Sequence, residues 1–226
     1  MPPTARDPTT SRSSEDGQRF IEIVEQARAG DKTAFDTLFQ HYNARICAYL
    51  AHMVGDEEEG RDLAQETFLK AWQCLANLQN EACFDAWLYR IATNIAIDHL
   101  RRRKFHWSYL KTDENEGTPA YMSTAGPEER IAEMELIQQA LAKVSLKYRT
   151  CLLLQLVANF SQREIATALK ISEKSVSIYV SRGSEQFRLA YQRLSWTNES
   201  VSKEGDKAHD RIDPHALYRL GTETSG

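Results

Sequence analysis

Apolar residues in this chain recur every three to four positions in two blocks, about Phe20 to Tyr109 and about Glu128 to Leu194. Alternation of β-branched residues at period two is nearly absent. A side chain returns to the same face of a helix after 3.6 residues and to the same face of a strand after two, so the pattern specifies helices. The expected fold class is all-α. Candidate helices cover Phe20 to Ala29, Lys32 to Met53, Glu57 to Leu75 and Phe84 to Arg103 in the first block. In the second they cover Glu128 to Lys143, Leu146 to Ala158, Ser161 to Leu169 and Ser172 to Leu194. Between the blocks, "KTDENEGTPAYMSTAGP" is rich in Gly, Pro, Thr and acids without periodicity, the composition of a flexible linker. The expected organisation is therefore two small helical domains, 20–110 and 128–194, joined by a linker at 111–127. A flexible leader at 1–19 and a polar extension at 195–226 flank them, the latter with one short helix in "DPHALYRLG".

Composition narrows the setting. Of the 226 residues, 42% are hydrophobic and 27% charged, which describes a soluble globular chain with polar segments attached. No apolar run approaches the ~20 residues a membrane span needs, and the first residues lack the apolar core of a signal peptide. No membrane insertion is expected, and the location expected is cytoplasmic. Cys47, Cys74, Cys83 and Cys151 show no C-x-x-C spacing and mostly sit in apolar periodic stretches, as reduced packing thiols do. Redox sensing is the alternative. No metal and no cofactor is expected.

In "DEEEGRDLAQETFLKAWQCL", Leu63, Thr67, Phe68, Ala71, Trp72 and Leu75 have the spacing of a buried stripe. The opposite face carries Asp62, Gln65, Glu66, Leu69 and Gln73, which puts a leucine inside a polar, mostly acidic surface. One exposed leucine needs no explanation. Ringed by carboxylates and amides, it has the make-up of a docking site: the apolar anchor supplies affinity and the acids select a basic partner. A plain solvated helix face is the competing reading.

The last helix of the first block, "FDAWLYRIATNIAIDHLRRRK", ends in four consecutive basic residues although the chain carries a formal charge of −4. Leu88, Ile91, Ala92, Ile95 and Leu100 form its apolar stripe, and Trp87, Arg90, Asn94 and Arg101 fall along another side. Screening over ~8 Å lets a local basic cluster act on a phosphate backbone regardless of distant carboxylates. Cations alone would suit duplex DNA or a membrane surface. Rings and an amide beside them suit unpaired bases, which stack on the former and hydrogen-bond to the latter. For Trp87 and Tyr89, packing between helices is the competing fate.

In the second block, "FSQREIATALKISEKSVSIYVSRGSEQF" opens with Ser161 and Glu164 at capping-box spacing. Ile165, Ala166 and Leu169 face inward on a first helix; Ser172 caps a second whose Val176, Val180, Phe187 and Leu194 face inward. Lys174, Ser177, Ser181 and Arg182 are left outward, the layout of a helix-turn-helix with a recognition helix for the major groove. Lys170 stands in the turn where Gly is common.

Taken together, "DLAQETFLKAW", "FDAWLYRIATNIAIDHLRRR" and the helix-turn-helix closely resemble bacterial sigma factors of the extracytoplasmic-function group within the sigma-70 family. The resemblance covers about Ala34 to Lys104 as region 2 and about Ile131 to Leu194 as region 4. It implies a dissociable subunit of bacterial core RNA polymerase that recognises promoter DNA and promotes strand opening, with the chemistry left to the polymerase. By resemblance, Asp62, Gln65, Glu66 and Leu69 would face the β′ clamp helices. Trp87, Arg90 and Asn94 would lie near the minus-ten element, with Asn77 or Asn80 holding an extruded base and Arg101, Arg102, Arg103 and Lys104 tracking phosphates. Lys174, Ser177, Ile178, Ser181 and Arg182 would meet the minus-thirty-five element, and region 4 would touch the β flap. The family also implies an anti-sigma factor as partner. The chain departs from the family pattern at Ser177 and Tyr179, where Lys or Arg is usual, at Asn159, often Gly, and in "VSLKYR", which lacks a proline. Fewer cations imply a weak minus-thirty-five contact.

Two other functions compete. One is a helix-turn-helix DNA-binding regulator that never joins polymerase. The other is a nuclease or recombinase using Asp56, Glu57, Glu58, Glu59 and Asp62 to hold Mg²⁺, although acids at a helix start already have a cause in the helix dipole.

Overall fold

A computed structural model describes residues 8–110 and 128–202, with side chains over 17–103 and 132–196. Eight α-helices appear among these residues: α1 (Pro8–Arg28), α2 (Lys32–Val54), α3 (Glu57–Cys74), α4 (Phe84–Leu110), α5 (Glu128–Lys143), α6 (Leu146–Leu156), α7 (Gln162–Leu169) and α8 (Glu173–Ser202). Two 3-10 turns, Leu75–Asn77 and Glu81–Cys83, join α3 to α4. No strand occurs among the described residues, and no helix is long and apolar enough to cross a membrane.

Local chemistry sets the helix ends. Asp31 caps α2, its Oδ1 accepting from the N–H groups of Thr33 at 2.8 Å and Ala34 at 3.3 Å. Gly55, at φ 84°, ends that helix, and Asp56 caps the next by accepting from the Glu59 N–H at 2.8 Å. Glu57, Glu58 and Glu59 fill the first turn of α3, where the dipole favours carboxylates. Both halves of the capping box between Ser161 and Glu164 are made at α7. At Ser172, the hydroxyl accepts from the Ser175 N–H at 3.1 Å at the start of α8.

Two boundaries correct the sequence reading. The stretch expected as a flexible leader is helical from Pro8 onward. "PTTSRSSEDGQ" has no apolar periodicity to announce a helix, but Pro is tolerated in a first turn, and lengthening a helix anchored further along costs little once it is nucleated. Likewise α8 runs past Leu194 to Ser202. The linker 111–127 and "DPHALYRLG" lie outside the described residues.

Helices α1 to α4 pack into one bundle and α5 to α8 into another, and the buried residues of the two form one continuous cluster. Three side-chain pairs mark the seam. Gln138 of α5 hydrogen-bonds His52 of α2 at 2.6 Å, between Nε2 and Nδ1. Thr150 Oγ1 lies 3.9 Å from Met53 Sδ, and the Phe160 ring meets Tyr89 edge-on at 5.0 Å. Tyr89 also packs edge-on against Tyr49 at 5.3 Å, whose hydroxyl is 2.7 Å from Thr93 Oγ1. Helix α4 is consequently buried on a second edge, Tyr89, Thr93 and Ala96, beside its Leu88 and Ala92 stripe. Burial raises the phenol pKa of both Tyr49 and Tyr89. Cys151 is buried, as a packing thiol should be, whereas Cys83 is exposed.

Candidate functional site

Helix α3 separates its faces as its spacing required. Leu63, Thr67, Phe68 and Ala71 are buried, while Asp62, Gln65, Glu66 and Leu69 are all exposed. Leu69 is 60% exposed, among the most exposed large apolar side chains described. Phe39 of α2, which sequence reasoning did not single out, extends this apolar point: it is partly exposed, and its ring stands edge-on to Phe68 at 4.8 Å. No sequence signal marks it, because its neighbour comes from another helix. Two of the acids at the start of α3 have other engagements. Asp56 is a cap, and Glu59 accepts from Arg103 Nη1 and lies against His99 Nε2, each at 3.1 Å.

On α4, Asn94, Arg101 and Arg102 are exposed, and Trp87 and Arg90 are half-buried. The Trp87 indole tilts against Phe84 at 5.8 Å, leaving part of the ring to solvent. Arg101 pairs loosely with Asp98 at 3.6 Å, a surface contact of little consequence. Arg103 turns inward: besides Glu59, it donates from Nη2 to the Val54 carbonyl at 3.2 Å, fastening α4 to the end of α2. Lys104 lies within α4, its side chain outside the described set. Tyr89 is buried at the seam between the bundles, whereas Trp87 keeps part of its ring exposed. The connecting segment exposes Asn77 and Asn80, and Asn80 Oδ1 accepts from the Ala82 N–H at 3.1 Å.

On α8, Lys174, Ser177, Ile178, Ser181 and Arg182 are all exposed. Arg182 Nη1 donates to the Tyr148 hydroxyl at 3.1 Å. Lys147 Nζ stands 4.9 Å from the centre of the Tyr148 ring and 5.4 Å from that of Tyr179. Arg182's hydrogen bond, helped by the Lys147 ammonium, holds the Tyr148 phenol below its ordinary pKa. Lys147 thus adds a cation beside the exposed face of α8 from α6, a residue the spacing within α8 had no means of revealing.

Comparison with known proteins follows this geometry. Sigma-70 region 2 matches residues 38–106, and Sigma-70, region 4 matches residues 134–187. The ECF RNA polymerase sigma factor SigW of Bacillus subtilis is 33% identical over 174 residues, covering 73% of this chain and 92% of SigW. The chain belongs to the extracytoplasmic-function group of the sigma-70 family. The RNA polymerase sigma-H factor of Pseudomonas aeruginosa is 32% identical over 181 residues, 76% of this sigma factor and 94% of the relative. Two solved structures share its fold. CnrH, in complex with the cytosolic domain of CnrY, matches at a TM-score of 0.59 with 21% identity, over 77% of this chain and 97% of that one. The sigma factor RpoE from Bartonella quintana, in complex with the anti-sigma factor NepR, matches at 0.58 with 18% identity, over 70% and 96%. Region 2 spans the Leu69 patch and most of the basic helix, and region 4 spans the helix-turn-helix. A regulator acting through its helix-turn-helix alone would have no use for the first of these.

Proposed function

We propose that this sigma factor joins core RNA polymerase through Leu69 and its ring of Asp62, Gln65 and Glu66, set against the β′ clamp helices. The observation that carries the reading is the separation of faces on α3: a leucine 60% exposed, surrounded by acids and amides, on the side away from a well-buried stripe. Trp87, Arg90 and Asn94, with Asn77 and Asn80 in the neighbouring turns, meet the opened minus-ten element; Arg101, Arg102 and Lys104 follow its phosphates. Arg103, engaged with Glu59 and Val54, supports α4 in that task. Ring stacking contributes ~1–3 kcal/mol per base, comparable to the cost of unstacking one, so opened DNA can be captured without ATP. Lys147, Lys174 and Arg182 supply the cations of the minus-thirty-five surface, with Ser177, Ile178 and Ser181 between them, and region 4 approaches the β flap. An anti-sigma factor is a further partner; both solved structures of like fold hold a bound protein. The phosphodiester chemistry belongs to the polymerase.

The test separates assembly from opening. With purified core polymerase, Leu69→Asp should abolish co-purification of the complex while leaving the melting temperature of the free chain unchanged. Asn94→Ala should assemble normally yet show reduced permanganate reactivity of promoter thymines and reduced run-off transcript. Equal loss of assembly in both variants, or in neither, would remove the division of labour.

A further inference from the structure

Arg28 ends α1, outside the residues that match either sigma-70 region, and reaches across to the segment between α3 and α4. Its Nη1 donates to the Leu78 carbonyl at 3.2 Å, and the same guanidinium pairs with the Glu81 carboxylate. Those contacts straddle Gln79 and Asn80. The Glu81 side chain is only 16% exposed, so the pair is screened less than an ordinary surface ion pair, and an Arg bonded to both a carboxylate and a carbonyl is held in direction as well as in charge. Below the segment, Leu75 and Leu78 are buried anchors. At its far end Phe84 is buried, with Phe20 of α1 edge-on to it at 6.1 Å. Asn80 closes the second turn on itself through Ala82. The polar side chains exposed on this segment are carboxamides, Asn77, Gln79 and Asn80, beside Ala76, Ala82 and Cys83.

A carboxamide offers two donors and one acceptor, the complement of an unpaired base edge. Discrimination between bases requires these groups to be fixed before the base arrives; an adaptable loop would satisfy several bases and select none. We propose that Arg28 is a positioning residue for minus-ten selectivity: by tying Leu78 and Glu81 to α1, it fixes Gln79 beside Asn77 and Asn80 as the group that reads the extruded base. This rests on the assignment of the Leu75–Cys83 segment to the minus-ten element.

The full chain, assembled with bacterial core polymerase, transcribes one template pool randomised through the minus-ten element and another randomised through the minus-thirty-five element. Sequencing the templates of the transcripts gives the ratio of preferred to disfavoured bases at each position. A wrong base in a recognised site ordinarily lowers output about tenfold. Arg28→Ala should reduce the ratio at the captured base to about threefold or less, leaving core assembly and the minus-thirty-five ratios as in the wild type. Arg28→Glu should do the same, and the exchanged pair Arg28→Glu with Glu81→Arg, which restores the ion pair but not the bond to the Leu78 carbonyl, should recover part of the lost discrimination. A fall in total transcript with every ratio preserved would make Arg28 a folding residue alone and overturn the proposal. Gln79→Ala and Asn77→Ala separate the two levels of inference. If they flatten the ratio and Arg28→Ala does not, the brace is refuted while the minus-ten assignment stands; if none of the three alters any ratio, both fall.

Discussion

Lys170 and Asn159 both sit at φ 56°, in the left-handed region. These are two positions where glycine would be unremarkable, and their backbone angles give the reason. A side chain in that conformation costs roughly 1–2 kcal/mol relative to the right-handed region. The Lys170 side chain is exposed, and its backbone N–H closes α7 by donating to Ala166 and Thr167. Lys170→Gly keeps that closure, relieves the strain and gives back some chain entropy to the unfolded state. A net gain of about 1 kcal/mol is expected in urea denaturation; Asn159→Gly should gain less, since Asn tolerates the conformation. The cysteines make a second residue-scale prediction. Burial pushes the Cys151 thiol up to about 11, and Cys83 is exposed. Thiolate is the reactive form, so iodoacetamide at pH 8 should label Cys83 early and Cys151 only under unfolding conditions, as read by peptide mass spectrometry.

At the scale of the element, the contact between α2 and α3 depends on Gly60. A Cβ built there would stand 2.6 Å from the Ala51 backbone nitrogen, an atom that cannot swing aside. Gly60→Ala should therefore force the helices apart and cost about 1–3 kcal/mol, lowering the melting temperature and, by tilting α3, weakening core-polymerase binding. Ser161→Ala removes the capping-box hydroxyl and should cost about 1 kcal/mol, again read by urea denaturation. The helices themselves were legible in the sequence because a 3.6-residue pattern fixes which side of each is apolar; α3 obeyed it except at Trp72, expected in the buried stripe but only half-buried against Phe35. What lies opposite a side chain was not legible. Arg103 reads as one more cation in a basic run, yet the start of α3 and the end of α2 meet it. Lys147 comes beside the exposed face of α8 through the packing of Tyr148 on Tyr179, at 5.4 Å. The early part of α1 carried no apolar signal.

At the scale of the whole molecule, the two bundles are not merely tethered, since they meet over His52, Met53, Tyr89, Gln138, Thr150 and Phe160. Minus-ten and minus-thirty-five elements lie about twenty-five base pairs apart, roughly 85 Å of duplex at ~3.4 Å per pair. The longest helix, α8, has 30 residues and spans about 45 Å, roughly half that distance, so the packed pair should not engage both elements at once. Dyes placed at the exposed Lys70 and Arg188 should therefore move apart by several tens of Å when the chain enters the holoenzyme on promoter DNA, read by energy transfer. An unchanged distance would show that the seam survives assembly. Periodicity had no means of announcing it, because its aromatic and polar members break the apolar register of their helices.

Phe160 is followed directly by Ser161, the cap of α7, so the ring seated on Tyr89 and the start of the helix-turn-helix are neighbours along the backbone. Ligands that each require the ring unseated must help one another by the same factor. A duplex at one end and the enzyme at the other would thereby be felt as cooperative, without a residue in common.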